Sequence, residues 1–516
     1  MAQKANAPKK SNSWGILNFF DHGFSWVSFA IVIGCALTLV YLLQSLVMCR
    51  AGKYISVHTL SSMVTQSDPS FTPEQKPLPS PLQQPPSTLS PAPKQGTHLA
   101  RIVFGIAGAA KNWPNRKEYI RRWYSLDKST RAIVWLDREV NGTWEKDVPP
   151  FKVSEDISNY PFNLRKRTAT RIARIVSETF RLGLPDVDWF VMGDDDTFFF
   201  PENLVKVLSK YDSRKMYYIG SNSETHTQNV LFSFNMAFGG GGFAISYPLA
   251  AELAHMQDAC LARYPDLFGS DERIFVCMSE LGVSLTKELG FHQMDIQGNA
   301  MGMLAAHPQA PLVSIHHMDL IQPIFPGLTK YAAIDHLLEA ARVESASVLQ
   351  QSVCYADGQK WSISVSWGYV VQVYKGFLTP RELETPLRTF SSIKRRNDKV
   401  EFPFNTREPP KELCKRPAMF YMKTVKSTKS TNSPGSLLES VYLRNEDLKQ
   451  TRASCEKDLQ PLTTVRRIRI LKEPVANSWF ETPRRSCCKV KAWSDDSIEL
   501  RLSDCQAGET LMSSIH

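Results

Sequence analysis

The sequence predicts an α/β domain with a largely parallel sheet, a β-rich C-terminal extension and one membrane-spanning helix ahead of both. Three observations carry this. Short apolar strands alternate with helical stretches between residues 98 and 330, β-branched and aromatic residues gather beyond residue 330, and Gly23–Cys49 holds no charged residue. With 516 residues, 43% of them hydrophobic, the chain exceeds one small domain and can bury a sizeable core.

The N-terminus sets the compartment. Phe24–Leu43 is almost wholly apolar, and about 20 such residues span a bilayer core. A cleaved signal peptide would carry a shorter apolar run ending at small residues, whereas this one runs on to Leu46-Val-Met-Cys-Arg50. Residues 24–48 therefore read as an uncleaved signal anchor. Lys4, Lys9 and Lys10 precede it, so residues 1–23 are expected in the cytosol and the remainder in the lumen, a single-pass type II arrangement. Residues 49–97 read as a stem, because prolines crowd the stretch from Pro69 to Pro93 and keep it extended. The eight cysteines beyond the anchor (Cys260, Cys277, Cys354, Cys414, Cys455, Cys487, Cys488 and Cys505) form an even set suited to disulfides in an oxidising compartment, with no CxxC zinc spacing. Asn141-Gly-Thr143 is a glycosylation sequon compatible with that placement.

Residues 98–330 alternate. Leu99–Ile106 reads as a buried strand, Arg116–Tyr124 as a helix, and Arg131–Leu136 as a strand ending at Asp137. Arg165–Leu182 sets Ile172, Ile175, Val176 and Thr179 on one helical face. Asp188–Gly193 is a further strand, and it runs straight into Asp194, Asp195 and Asp196. Ligands of such sheets bind beyond the carboxyl ends of the strands. In residues 331–516, Lys360–Tyr374 reads as antiparallel strands, while Tyr421–Thr431 and Ser478–Cys488 carry no periodic signal.

Three adjacent carboxylates repel one another unless a cation or solvent offsets them. Acidic turns are common and usually solvated, but Trp189–Met192 before the triplet and Thr197–Phe200 after it leave no solvated loop. Gly239–Gly242 lie between Met236-Ala-Phe238 and Phe243-Ala-Ile245, so they suit positive φ and close backbone approach to a ligand better than a flexible linker. Gly269-Ser-Asp-Glu-Arg-Ile-Phe-Val-Cys277 opens a helix with an acidic pair, in which Asp271 is either an N-cap or a functional carboxylate. Pro311–Met318 places His316 and His317 at a strand end, where an imidazole either serves packing or completes a metal shell begun by aspartates.

The order strand–Asp194-Asp-Asp196, then Phe238-Gly-Gly-Gly-Gly-Phe-Ala-Ile-Ser246, then Ser270–Cys277, then Val313-Ser-Ile-His-His317 resembles the Fringe-like, β-1,3-galactosyltransferase-like glycosyltransferases. The long C-terminal extension resembles the plant branch catalogued as a domain of unknown function. The resemblance covers roughly residues 98–330 and implies a GT-A fold with inverting transfer of a hexosyl group from a UDP-sugar to a glycan or glycoprotein hydroxyl, in the Golgi. It implies that Asp196, Asp194 and His316 ligate Mn²⁺, with Asp194 and Asp195 also supporting the nucleotide-sugar. It implies Asp271 as catalytic base with Glu272 as the fallback, and Asp137 and Arg171 as weaker nucleotide contacts. Gly240 and Gly241 fall in the expected ligand-facing glycine run. One departure stands out: Ile274-Phe-Val276 replaces the family's usual glycine near the end of the base motif.

Other classes fit less well. The net charge is +10, but residues 98–330 carry 25 basic and 26 acidic groups, so no basic footprint for nucleic acid sits on the motif-bearing part. A Mg²⁺-dependent phosphoryl-transfer enzyme would show a GxxxxGK[ST] loop, which is absent. The remaining alternative is a catalytically inactive GT-A-fold sugar-binding or scaffold protein, against which the intact aspartates and His316 argue. Release of UDP from a UDP-sugar discriminates the two.

Overall fold

Alternating side chains of one fully buried strand organise the first half of the molecule. The computed structural model describes Thr38 and residues 96–512, apart from 125–128, 141, 159–166, 394–399, 430–435 and 446–461. The expected cytosolic tail, the anchor except Thr38, the stem up to residue 95 and the sequon's Asn141 lie outside the described residues. Among the described residues no helix is long and apolar enough to cross a membrane. Two compact units divide the chain, Met1–Leu89 and Ser90–His516, and every described strand lies in the second.

Strand β1 (Ile102–Ala107) is buried along its length. Val103 and Ala107 point into one core and Ile102, Phe104 and Ile106 into another, so the sheet is covered on both faces. Around β1 lie β2 (Arg131–Leu136), β3 (Phe151–Val153) and β4 (Trp189–Asp194), all mutually parallel. After the short β5 (Phe198–Phe199) come β6 (Tyr218–Gly220), β7 (Phe243–Ser246) and β8 (Leu285–Lys287), giving the order β3-β2-β1-β4-β7-β6-β8. The largely parallel expectation needs one amendment. Strand β7 runs antiparallel to both β4 and β6, so the sheet is mixed. The reversal matters for the site: Met192 pairs with Phe243, so the glycine run entering β7 lies beside the turn leaving β4.

Helix α1 (Trp113–Tyr124) and helix α3 (Pro201–Leu208) cover one face; α2 (Arg167–Arg181), α4 (Tyr247–Arg263) and α5 (Ser270–Glu280) cover the other. The Cys260–Cys277 disulfide joins α4 to α5. Three minimal strands then extend the structure: β9 (Phe291–His292), β10 (Ile296–Gly298) and β11 (Ser314–Ile315). Strand β11 lies between β5 and β9, so the residue after it, His316, arrives next to the Asp194–Thr197 turn.

Helix α6 (Lys330–Glu344) leads to a closed barrel. Its strands are β12 (Gln351–Ala356), β13 (Trp361–Ser366), β14 (Val370–Lys375), β16 (Ala418–Lys429), β17 (Ser436–Arg444), β18 (Arg467–Lys472), β19 (Cys487–Trp493) and β20 (Ser497–Ser503). Strand β15 (Phe390–Ser392) leaves the barrel and pairs antiparallel with β10. Cys354–Cys488 bridges β12 to β19, Cys487–Cys505 ties β19 to the segment after β20, and Cys414 is also disulfide-bonded.

The Cys260–Cys277 bridge closes a loop with a sequence separation of 17. Constraint of that loop in the unfolded chain is worth about 3 kcal/mol. The double substitution Cys260→Ala with Cys277→Ala should therefore lower the chemical-denaturation stability by about that amount, read by circular dichroism; an unchanged midpoint would show that α4–α5 packing alone fixes the helix pair.

Candidate active site

Strand β4 delivers its last residue, Asp194, into a tight turn. The Asp194 N–H donates to Thr197 Oγ1 at 2.8 Å, and the Thr197 N–H donates back to the Asp194 carbonyl at 3.0 Å. The Thr197 hydroxyl then donates to the Gly240 carbonyl at 2.7 Å, pinning the acidic turn to the glycine run. Opposite stands His316. Its Nε2 lies 3.0 Å from Asp196 Oδ1 and 3.8 Å from Asp194 Oδ2. Ligand atoms of Asp194, Asp196 and His316 all fall within 4.8 Å of one another. Asp196 and His316 are buried, and Asp194 is half-buried.

The donor set suits a divalent cation. His316 Nδ1 faces the Gln293 carbonyl at 3.2 Å, a partner that only accepts, so Nδ1 carries hydrogen and Nε2 is turned to the carboxylates. Burial alone would depress this imidazole, but the hydrogen bond and charge of Asp196, with Asp194 and Asp295 behind it, raise it to about 9. A proton and a metal ion compete for the same Nε2 lone pair. Burial would raise Asp196, yet the His316 hydrogen bond and the charges of His316 and Arg116 hold it well below the usual carboxylate range. Asp194 and Asp195 are each pushed up to about 7, by burial first and then by neighbouring carboxylates, against partial relief from His316 and Arg116. Two carboxylates and one imidazole within ligand reach of one another make a donor set that a divalent cation can take.

The glycine run serves these side chains. A Cβ on Gly240 would lie 2.2 Å from His316 Cε1, and one on Gly239 would lie 2.5 Å from Asp271 Oδ1. Gly241 is held from the other side, its N–H donating to Gln293 Oε1 at 2.6 Å and its carbonyl accepting from the Ser314 hydroxyl. Of the four glycines only Gly242 has positive φ. A side chain at Gly240 would meet His316 and one at Gly241 the 292–293 backbone, so the bare main chain makes room for these neighbours.

Asp271 is not the N-cap. That position belongs to Gly269, and Asp271 is the second residue of α5. It lines a small crevice with Gly239, Ser270 and Asp194, over the carboxyl ends of β1 and β4. Burial raises its carboxyl above the usual range, opposed by hydrogen bonds from the Gly239 N–H and the Ser270 hydroxyl. Glu272 does not line this crevice; its carboxylate accepts from the Phe268 N–H at 3.0 Å. Asp137 accepts from the Ala110 N–H at 2.7 Å, bracing the loop after β1. Arg171 turns inward, donating to the carbonyls of Gly108 at 2.9 Å and Trp135 at 3.2 Å and to Ser154 Oγ at 3.3 Å, so it shapes that loop from behind.

Arg116, on α1, is the member that no motif announced. Its Nη1 donates to Asp196 Oδ2 at 2.6 Å and to Asp319 Oδ2 at 2.5 Å, and its Nε lies 4.0 Å from Asp195. Tyr119 and Lys330 also bond Asp319. Asp295 is a second unannounced residue: buried, it accepts from the Ser223 hydroxyl at 2.6 Å and sits 3.4 Å from His317 Nδ1. His317 holds a positive φ of 52°, and its ring lies against that of His316, with centroids 3.7 Å apart.

Comparison with known proteins adds three findings. A family model described as "Protein of unknown function, DUF604" matches residues 228–488, about half of the chain. A UDP-GlcNAc:betaGal beta-1,3-N-acetylglucosaminyltransferase 7 from Rattus norvegicus is 28% identical over 163 residues, which is 27% of this chain and 40% of that protein's length. Two solved structures align with most of their own length. One is a glycosyltransferase involved in glycosylation of the major capsid of PBCV-1 (11% identity, 46% of this chain and 98% of that one, TM-score 0.27), and the other is an active-site mutant of LgtC (14%, 45% and 92%, TM-score 0.29).

Because a methyl at position 240 collides with the imidazole, Gly240→Ala should weaken the binding of a divalent cation, with Mn²⁺ as the probe, about 10–100-fold, the range for disturbing a ligand's orientation. Titration of the Mn²⁺ electron paramagnetic resonance signal reads this; unchanged affinity would mean that His316 is not a ligand.

Proposed function

We propose that this chain, which belongs to the DUF604 family, is an inverting, Mn²⁺-dependent glycosyltransferase of GT-A fold that moves a hexosyl group from a UDP-sugar to a hydroxyl of a glycan or glycoprotein acceptor. The observation that carries the reading is the meeting of Asp194, Asp196 and His316 at one strand end, with Asp271 lining the crevice beside Asp194. The partial likeness to a β-1,3-N-acetylglucosaminyltransferase supports sugar transfer as the reaction class.

The chemistry follows from the residues. Asp194, Asp196 and His316 Nε2 would hold the metal, and when bound it supplies Lewis-acid neutralisation of the departing diphosphate. Arg116 brings a further positive charge to the same turn. Asp271, outside that cluster and raised by burial, takes the proton of the acceptor hydroxyl as its oxygen attacks the anomeric carbon. The new carbon–oxygen bond forms on the face opposite UDP, and the old one breaks with its electron pair going to the β-phosphate, which inverts the centre. Asp195 supports the donor side of the turn, and Asp137 and Arg171 brace the loop after β1 that borders it.

The placement we propose is the Golgi membrane, with residues 24–48 as the anchor and the catalytic part lumenal. Its support is the uncharged apolar run in the sequence and the disulfides of the second unit, which persist in an oxidising compartment.

A donor screen with Mn²⁺, reading UDP release, tests the activity; no release from any UDP-sugar would favour the inactive scaffold. Asp271→Asn should lower transfer about 10²–10⁴-fold while Mn²⁺-dependent UDP binding persists, and Asp196→Asn should lose both. Transfer retained by Asp271→Asn would move the base elsewhere, with Glu272 next in line.

A further inference from the structure

A second cavity, of about 770 Å³, opens where the 221–309 region meets segments 384–386 and 403–405 and residue 485, and its walls include none of Asp194, Asp196, Asp271 or His316. Its volume falls within the ordinary range of ligand pockets. What distinguishes it is unmet hydrogen-bonding capacity. Asn222 is 6% exposed, lines the cavity, and its amide has no partner among the described residues. Gln309, half-buried on the same wall, also makes no side-chain hydrogen bond to any described residue. Amides in such a position are normally satisfied, so these two on one cavity wall call for a ligand that donates and accepts.

The remaining lining narrows the class. Phe404, half-buried and stacked on Phe402 at 5.4 Å, and Phe234, 45% exposed, offer flat apolar faces. The charges balance, Lys287 and Arg485 against Glu224 and Glu384, and Arg485 is already paired with Glu384 at 2.8 Å. A phosphate-bearing ligand would need surplus positive charge, which this lining does not supply. A lipid chain would leave the amides unsatisfied. A neutral sugar chain meets both demands, with hydroxyls for the amides and C–H faces for the rings. We infer that this cavity binds a neutral oligosaccharide at a site separate from the metal cluster, with the C-terminal extension forming one wall.

The wall is also tied to the active site. His292 lines the cavity, and its carbonyl accepts from the His316 N–H at 3.1 Å. The His292 imidazole is fixed between Glu224 Oε1 at 3.1 Å and His307 Nε2 at 2.9 Å, so one short segment faces both sites.

The test uses the full chain in detergent without donor or Mn²⁺, so that failure of the transferase reading leaves it standing. Cellotriose, laminaritriose, N-acetyllactosamine and chitotriose are titrated by calorimetry. At least one should bind, and Phe404→Ala and Asn222→Leu should each weaken that binding about tenfold, in keeping with loss of a stacking face or a buried hydrogen bond. Asp196→Asn should bind the sugar as the parent does. Thermal midpoints check folding, and Phe404→Ala, at a half-exposed position, carries the test if Asn222→Leu fails to fold. No binding by any probe, unchanged binding by folded Phe404→Ala, or loss of binding in Asp196→Asn would overturn the inference.

Discussion

Charge compensation at the end of β4 is the constraint on which the site depends. Three successive carboxylates leave one strand, two of them buried, and the fold brings His316 and Arg116 to them from residues 120 and 80 positions away in sequence. Each cation arrives by a different route. Strand β11 is laid against β5 so that the chain emerges at His316, and α1 projects Arg116 from the opposite side. Even so, Asp194 and Asp195 are pushed up to about 7, by burial first and by neighbouring carboxylates after it.

Close approach is the second constraint, and it belongs to the backbone. Side chains at 239 or 240 would occupy the space of Asp271 and His316, so a carboxylate and an imidazole are brought in over a bare stretch of main chain. The reversed strand β7 makes this possible. Running antiparallel to β4, it starts where β4 ends, and the residues that introduce it therefore border the acidic turn. Had β7 run parallel, the glycines would sit at the opposite edge of the sheet.

Much of this was legible in the residues. Arg131–Leu136 is a strand as read, because its apolar run is short, β-branched and bounded by turn residues. The aspartates and His316 stood out because strand ends in α/β sheets face ligands, and the structure brings Asp194, Asp196 and His316 together. Other features had no local signature. Phe243-Ala-Ile-Ser246 reads the same whichever way its neighbours run, so the reversal of β7 was invisible. Arg116 is one of several cations on α1, and only the three-dimensional pairing with Asp196 and Asp319 singles it out. Strand β16 opens with the buried run Ala418-Met-Phe420, which masks the alternation expected of a barrel strand. The glycines correctly announced a tight place but not its occupant, since a missing Cβ says nothing of which group fills the gap.

The pairing of β15 with β10 carries a practical consequence for anyone dividing the molecule. A fragment stopped near residue 330 would strip β10 of its partner strand and leave the Asp295 carbonyl and the Asn299 N–H without their bonds to Ile393 and Thr389, just downstream of the segment whose carbonyls orient His316. Such a shortened protein would carry every recognisable motif and yet lack the brace behind them. Its inactivity would then be misread as evidence against the chemistry, when the missing part is mechanical support.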